Sequence, residues 1–322
     1  MAKSESPRDG KKRATTSTYK FGSGKREGHD ASDFYNRFTP PVIQKSEDVC
    51  HPDDRPCQDK IYCGDIRQLS DLVAENSVAL LVTSPPYFAG KEYEIDSTKG
   101  YELTDYADYL EMLTEVLSSC VKLLEPGGRI AVNIANLGRK PYRSLSSDVI
   151  GILQNDLGLL LRGEIIWKKS KSASGNCAWG SYLKPANPVL RDITERIVVA
   201  SKGMFERAIP QKKRQLLGLP NKSTINKEDF LQSTLDVWEF PPERAKALEH
   251  PAPFPIELPK RLIELYTYEE DLVLDPFMGS GTTAIAAIRT KRNFIGFDTT
   301  AKYVDNARKR IEIELGSTDG ET

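Results

Sequence analysis

The sequence predicts an α/β protein built on a mostly parallel β-sheet. The main observation is an alternation of short apolar runs with longer amphipathic segments, which extends from about residue 60 to the C-terminal region. Such alternation is typical of parallel strands that are joined by crossover helices. The length of 322 residues is the second observation, because it suffices for one large α/β domain with insertions or for two modest domains.

Each element of the first half is predicted from an apolar run and from the residues that end it. In chain order these elements are a strand at 60–65, a short helix ending near Leu72, a strand at 78–84, a helix from Thr104 to Leu124, a strand at 129–136, a helix from Asp148 to Leu160, and strands at 163–169 and 196–201. We expect the Pro126-Gly127-Gly128 turn to stop the helix that precedes it, because proline and glycine break helices.

The alternation lapses between residues 203 and 237, where the chain is basic in its first half and shows no clear strand-helix rhythm. We interpret this segment as an insertion. The elements expected after it are a helix through about Tyr266, a strand at 272–277, a helix from Thr282 to Arg289, a strand at 293–298 and a helix from Lys302 to Leu315. The predicted organisation is a polar, disordered tail over 1–55, one domain over 56–316 and a short tail over 317–322.

The composition gives no sign of a membrane protein or of a strongly charged one. The chain has 45 basic and 46 acidic residues and a formal net charge of −1, so any surface for nucleic acid must be local. No run of about 18 apolar residues could span a bilayer, and the N-terminal region lacks the apolar stretch of a signal peptide. We therefore expect a cytoplasmic protein.

The five cysteines have no tight pair spacing and are expected to be reduced thiols. Cys50, Cys57 and Cys63 lie near His51, but their spacing lacks the two-residue hairpin that is usual in structural zinc sites. The sequence therefore predicts no metal site.

A glycine-rich turn follows the apolar run in "LVLDPFMGSGTTAIAAI". Glycines between a strand and a helix let the backbone approach a ligand, and the exposed amides at a helix start favour a carboxylate or a phosphate. The next strand ends at Asp298, where an acid can accept hydrogen bonds from the two hydroxyls of a ribose. A strand-end aspartate often only caps a helix, but together with the glycine turn it indicates a site for S-adenosylmethionine.

A second turn, in "VALLVTSPPYFAG", follows the strand predicted at 78–84. Two consecutive prolines supply no backbone donors and forbid a helix, so they end the strand and fix the direction of the next side chains. The turn is either plain punctuation or a rigid platform for the Ser84 hydroxyl, the Pro85 carbonyl and the Tyr87 ring.

The two turns together resemble the catalytic and cofactor motifs of the β class of DNA amino-methyltransferases, in which the catalytic half comes first. The resemblance covers roughly residues 60–315. It implies the class I methyltransferase fold, a seven-stranded, mostly parallel sheet with one antiparallel strand and helices on both faces. Positions that would hold S-adenosylmethionine are Asp65, Phe254, Pro255, Asp275, Phe277, Gly279, Ser280, Gly281, Thr282, Thr283 and Asp298.

The resemblance also implies a mechanism for the first turn, whose catalytic residues would be Ser84, Pro85, Pro86 and Tyr87. A target base inside a duplex is unreachable, so it must rotate out of the stack. The Pro85 carbonyl and Ser84 would accept the hydrogens of its exocyclic amino group, and Tyr87 would stack on the base. Serine at the first position of the motif favours N4 of cytosine, and the same reaction at N6 of adenine is the alternative.

The expected macromolecular substrate is double-stranded DNA, bound by a monomer or a homodimer. The insertion at 203–237 occupies the place where the β class commonly carries its target-recognition region, and the loop after residue 167 adds basic and aromatic groups. Candidate DNA contacts are Lys168, Lys169, Lys171, Trp179, Tyr182, Arg191, Lys212, Lys213 and Arg214. A cognate restriction endonuclease would be a functional partner. A catalytically inactive DNA-binding module and an RNA methyltransferase are further alternatives.

Overall fold

The computed structural model describes residues 42–86, 105–137, 142–170, 180–243 and 254–318, and eight strands in this part of the chain form one sheet. The strands are β1 (Lys60–Cys63), β2 (Val78–Thr83), β3 (Leu124–Ile134), β4 (Leu160–Lys168), β5 (Thr194–Ser201), β6 (Val237–Glu239), β7 (Leu272–Asp275) and β8 (Asn293–Asp298). The order across the sheet is β1-β8-β7-β2-β3-β5-β4-β6.

The directions of the strands confirm the predicted α/β class. Neighbouring strands from β1 through β3 are parallel, β5 runs antiparallel to both β3 and β4, and β6 is parallel to β4. Seven strands with one antiparallel strand among them match the expectation. The eighth, β6, lies at the edge of the sheet and comes from the end of the segment interpreted as an insertion.

Helices cover both faces of this sheet. They are α1 (Ile66–Leu69), α2 (Tyr106–Leu123), α3 (Leu145–Gly151), α4 (Gln211–Leu216), α5 (Lys227–Ser233), α6 (Glu257–Tyr266), α7 (Thr282–Arg289) and α8 (Ala301–Thr318). Side chains alternate along each strand, so Leu272 and Leu274 of β7 pack with α2 and α3 while Val273 packs with α6, α7 and α8. Because both faces are buried, the central strands read as continuous apolar runs.

The Pro126-Gly127-Gly128 segment is part of a strand and not the helix-ending turn that the sequence predicts. Helix α2 begins at a capping box of Asp105 and Asp108 and ends at Leu123, and the proline and glycines lie inside β3. Here the register shifts, because Val78 pairs with Leu124 whereas Leu80 pairs with Arg129. Gly127 has a φ of +76°, and a Cβ there would lie 1.8 Å from a backbone oxygen of Glu206. The glycine therefore forms a bulge that admits the chain after β5.

Other boundaries also differ from their predictions. The helix predicted from Asp148 to Leu160 is α3 followed by a π-helical turn over Ile152–Asp156, and Leu160 is already in β4. The region 42–55, predicted to be part of a disordered tail, contacts the domain: Gln44 N donates to Gly203 O at 2.8 Å, and Cys50 N donates to Asn76 O at 3.0 Å. The described residues all belong to one unit, Val42–Thr322.

The sheet has two distinct ends. Strands β2, β7 and β8 finish at Thr83, Asp275 and Asp298, and this end is called the carboxyl edge. The opposite end, where β2, β3 and β7 begin, is called the amino edge. Because β5 runs the other way, it starts at the carboxyl edge and delivers the segment after Ser201 to the amino edge. Ligands on open α/β sheets bind at the carboxyl edge.

Within the part of the chain that the structure describes, every helix is too short or too polar to span a lipid bilayer.

Candidate functional site

The serine of the first turn lies at the carboxyl edge, directly after β2. Its hydroxyl donates to the backbone oxygen of Asn133, with 3.1 Å between the oxygen atoms, and accepts from Asn133 Nδ2 at 3.4 Å. Pro85 is buried and Pro86 is partly buried. The fourth residue predicted to act here, Tyr87, lies outside the described residues. The serine hydroxyl therefore has a defined direction before any substrate binds.

Asp275 ends β7, the neighbour of β2, and its carboxylate connects the two turns. Oδ1 accepts from the Thr83 hydroxyl at 2.7 Å and from the amide of Phe277 at 3.1 Å, and Oδ2 accepts from the Thr283 hydroxyl at 2.6 Å. Burial raises the pKa of Asp275 to about 6, although all three hydrogen bonds oppose this shift. The side chain is completely buried, so its hydrogen bonds hold the two turns together from the interior of the protein.

The glycine turn has the backbone conformation that its sequence suggests. Gly279 and Gly281 have φ values of +53° and +82°, which residues with a Cβ rarely adopt. A Cβ at Gly281 would also lie 3.0 Å from the Cβ of Ala307 in α8. The glycines thus let the chain turn tightly from β7 into α7, whose first residues are the buried Thr282 and Thr283.

Asp298 closes the glycine turn from the end of β8. Its Oδ2 accepts from Gly279 N at 2.9 Å, and its Oδ1 accepts from Thr300 N at 2.8 Å. Burial raises the pKa of this carboxyl above its ordinary value, and the hydrogen bonds from the two backbone amides counteract the effect. Asp298 is 8% exposed, and the two backbone amides fix the position of its carboxylate.

The remaining residues predicted to bind the cofactor lie near this turn, and each has different neighbours. Asp65 caps α1, and its carboxylate is shared with the Arg67 guanidinium, which lies 2.5 Å away. The preceding Gly64 donates its amide to Asp298 O at 2.9 Å, which places Asp65 beside the end of β8. Ser280 is buried, and its hydroxyl accepts from Arg310 of α8 at 3.1 Å.

The last three residues predicted to bind the cofactor are two phenylalanines and a proline. Phe277 is partly buried and packs towards the α2 face of the sheet, whereas Phe254 packs towards the α6 face. Pro255 is buried, and its carbonyl accepts from Leu258 N at 3.0 Å in the first turn of α6. Among the described residues no group of three metal-ligating side chains comes together.

The candidate DNA contacts separate into two groups. Lys168 ends β4 and Lys169 follows it, on the same edge as Ser84, while Tyr182 and Arg191 belong to the connection from β4 to β5. Tyr182 is exposed, and Lys168 lies 3.3 Å from Glu239. Lys171 and Trp179 lie outside the described residues.

The other group lies at the amino edge, on the opposite end of the sheet. Lys212 is exposed, and Lys213 pairs with Glu47 of the N-terminal segment. Arg214 is only 1% exposed and pairs with Asp271 at 3.1 Å. The prediction that Arg214 contacts DNA is corrected, because its guanidinium is enclosed in the protein and already paired.

Sequence reasoning missed Asn133, which contacts Ser84, and Glu195, which contacts Asn133. Asn133, near the end of β3, donates to Glu195 Oε2 at 2.7 Å, and Lys169 donates to Glu195 Oε1 at 2.9 Å. Thr83, the partner of Asp275, was also missed. The available signal was a polar residue at the end of an otherwise apolar run, as in "RIAVNIAN".

This fold and this site define a class of protein. A mostly parallel sheet with a glycine turn after one central strand, an acid after the next and a serine-proline turn beside them is the S-adenosylmethionine-dependent methyltransferase fold. Residues 78–309 match the N6/N4 methyltransferase family, described as DNA methylase. The chain belongs to this family.

Individual relatives agree with the family match. The chain is 30% identical to the type II methyltransferase M.BglI of Bacillus subtilis, covering 77% of this chain and 84% of that protein. It is 32% identical to M.MjaI of Methanocaldococcus jannaschii, another type II methyltransferase, over 79% and 91% of the two chains. A solved structure of TTHA0409 from Thermus thermophilus, assigned as a DNA modification methylase and complexed with S-adenosyl-L-methionine, is 29% identical, with a TM-score of 0.62 over 79% of this chain and 93% of that one.

Proposed function

We propose that the protein is a type II DNA methyltransferase that transfers a methyl group from S-adenosylmethionine to N4 of cytosine in duplex DNA. Membership of the N6/N4 family restricts the acceptor to an exocyclic amino group of a base. The choice of cytosine rests on Ser84, whose neutral hydroxyl stands at the first position of the catalytic turn. Adenine N6 is the alternative acceptor.

One observation carries the proposal. The carboxylate of Asp275, in the cofactor turn, accepts a hydrogen bond of 2.7 Å from Thr83, the residue immediately before Ser84. The cofactor turn and the catalytic turn are therefore held at adjacent strand ends. Such a fixed juxtaposition is what a direct transfer between two bound reactants requires, because positioning supplies much of the rate.

The residues at the carboxyl edge fit the proposed cofactor chemically. Asp298 offers a carboxylate for the ribose hydroxyls, and the backbone amides at the start of α7 suit the carboxylate of an amino acid. The other positions implied for the methionine and adenine ends are Asp65, Phe254, Pro255, Phe277, Gly279, Ser280, Gly281, Thr282 and Thr283. When bound, the cofactor supplies an electrophilic methyl group on sulfur.

The direction of the Ser84 hydroxyl supports its role as an acceptor. Because its hydrogen is donated to the Asn133 carbonyl, the Ser84 oxygen acts as an acceptor towards other donors, and the target amino group is the proposed donor. The Pro85 carbonyl is the second proposed acceptor, and Tyr87 is the proposed stacking partner. Two such acceptors would favour a pyramidal nitrogen whose lone pair is directed at the methyl group.

Duplex DNA must approach the carboxyl edge for this reaction, with the target base rotated out of the stack. Lys168, Lys169, Lys171 and Arg191 are the proposed phosphate contacts, and Trp179 and Tyr182 are proposed aromatic contacts. We further propose that the methyltransferase domain spans 56–316 with the segment 42–55 packed against it, that it acts as a monomer or a homodimer, and that it is paired functionally with a restriction endonuclease.

The product nucleoside tests the proposal. The purified protein is incubated with duplex DNA of mixed sequence and methyl-labelled S-adenosylmethionine, and the digested nucleosides are separated. Label in N4-methylcytosine is expected, and Ser84→Ala should lower turnover by about a hundredfold or more while cofactor binding by calorimetry is retained. Label only in N6-methyladenine would replace cytosine with adenine, and preferential label in RNA would point to an RNA methyltransferase. A protein that neither binds the cofactor nor transfers label would be a DNA-binding module.

A further inference from the structure

Four polar side chains form a row across four adjacent strands at the carboxyl edge. Ser84 follows β2, Asn133 is in β3, Glu195 is in β5 and Lys169 follows β4. Asn133 Nδ2 lies 3.4 Å from Ser84 Oγ and 2.7 Å from Glu195 Oε2, while Lys169 Nζ lies 2.9 Å from Glu195 Oε1. The row thus runs without a break from the proposed catalytic serine to a lysine at the proposed DNA-facing edge.

At the centre of this row Asn133 is buried and Glu195 is partly buried. Asn133 is 1% exposed, and the side chain of Glu195 is 13% exposed. A carboxylate is expensive to desolvate unless it is paired and hydrogen-bonded. Lys169 holds one oxygen of Glu195 and thereby turns the other towards the Asn133 amide, which has one hydrogen for Glu195 and one for Ser84. The amide therefore transmits the position of Glu195 to the serine.

We propose that Glu195 is a positioning residue for methyl transfer, an inference that rests on the proposed function. It acts through Asn133 to hold the Ser84 oxygen towards the target amino group, and its negative charge favours the positive charge that develops on that nitrogen. During transfer the nitrogen–carbon bond forms as the carbon–sulfur bond breaks, the electron pair of the broken bond remains on sulfur, and the nitrogen then releases one proton to solvent.

Charge and hydrogen bonding at this position can be separated by substitution. Glu195→Gln keeps an oxygen that can accept from Asn133 but removes the charge and the pairing with Lys169. Glu195→Asp keeps the charge on a shorter stem. The matched control is Glu164→Gln, which changes an exposed glutamate of the neighbouring strand β4 in the same way.

The experiment measures the single-turnover rate of methyl transfer to duplex DNA, the KM values for DNA and for S-adenosylmethionine, and the melting temperature of each variant. Glu195→Gln should lower the rate about tenfold to a hundredfold, the range for a group that stabilises developing charge. Its KM values should stay within about threefold of the parent, because the row is proposed to act on the reaction rather than on binding. Glu195→Asp should recover part of the rate, and Glu164→Gln should match the parent.

An unchanged rate in Glu195→Gln would overturn the positioning role. So would a loss of rate that is matched by a fall in melting temperature and a rise in both KM values, because that pattern indicates structural damage. Failure of the unaltered protein to methylate DNA would instead overturn the proposed function and this inference with it. Asn133→Ala provides a second test, since it should reproduce the loss of rate even when Glu195 is intact.

Discussion

The buried carboxyl of Asp275 illustrates how a single residue can serve two turns at once. Both of its oxygens are used by Thr83, Thr283 and the Phe277 amide, so its primary task is internal. Its pKa of about 6, against an ordinary value of 3.8, means that the folded protein binds this proton more tightly than the unfolded chain does. Stability from this group is thus present below pH 3.8 and is lost as the pH rises to about 6.

Asp275→Asn removes the charge but keeps a group that can bond both threonine hydroxyls. Relative to the parent, the variant should gain free energy of unfolding as the pH rises from about 4 to about 7, by roughly 3 kcal/mol in total at about 1.36 kcal/mol for each pKa unit. Urea unfolding at several pH values measures the difference. A stability difference that is independent of pH would show that the carboxyl has an ordinary pKa in the folded protein. The rate of methyl transfer should also fall in the variant, because the new amide changes the hydrogen bond that holds Thr83, the residue immediately before Ser84.

The sequence predicted the local backbone conformation of the two turns of the candidate site. Glycines with positive φ after a strand, and prolines that end one, carry their conformation in their own backbone. Asn133 and Glu195 could not be predicted in the same way. Their meeting depends on the antiparallel register of β3 and β5, which pairs Asn133 with Ile197, and nothing in either short segment specifies that register.

At the scale of elements, the segment after β5 is anchored by a buried cluster of charged side chains, called the ion cluster. Arg207 pairs with Asp271 at 2.9 Å and also with Glu125, and Arg214 pairs with Asp271 at 3.1 Å. Burial alone would raise the pKa of Asp271, yet the two arginines hold it below its ordinary value. Both guanidinium groups also lie 5.4 Å from the ring of Tyr268. The segment is therefore part of the structural core.

Arg214→Met should lower the free energy of unfolding by about 3–5 kcal/mol, because it leaves buried carboxylates with fewer partners. The control is Lys212→Met on the same helix, α4, where the side chain is exposed and its loss should cost about 0.5 kcal/mol or less. Urea denaturation of the two variants measures both changes. If the two substitutions cost the same, the cluster would contribute nothing to stability. DNA affinity under conditions where both variants are folded should be unaffected.

Basic residues alone misled the sequence-based interpretation of this segment. Lys and Arg in "RAIPQKKRQ" are equally compatible with a phosphate-binding surface and with the buried pairs of Arg207 and Arg214. The distinction depends on Glu125 and Asp271, which lie far away in the chain. The bulge at Gly127 has the same origin, since the close approach of Glu206 that requires it is a tertiary contact.

For the whole molecule, the two edges of the sheet have different roles. The proposed cofactor and catalytic turns lie at the carboxyl edge, as do Lys168 and the start of the β4–β5 connection that carries Tyr182 and Arg191, whereas α4 and the ion cluster lie at the amino edge. The alternation of elements was sufficient to predict the α/β class, but the edge to which the segment after β5 returns follows from the reversed direction of that strand. DNA bound for catalysis at the carboxyl edge is therefore expected to contact the basic groups of that edge and not those of the amino edge.

This division predicts the salt dependence of DNA binding. The double variant Lys168→Gln/Arg191→Gln should bind duplex DNA more weakly, and the slope of log K against log salt should become shallower by about 0.9 for each phosphate that the variant no longer neutralises. The matched variant Lys212→Gln/Lys213→Gln removes the same charge from the amino edge and should leave the slope unchanged. Titrations at several salt concentrations give both slopes. A shallower slope in the amino-edge variant would place DNA across the segment after β5, and the carboxyl-edge arrangement would then be wrong.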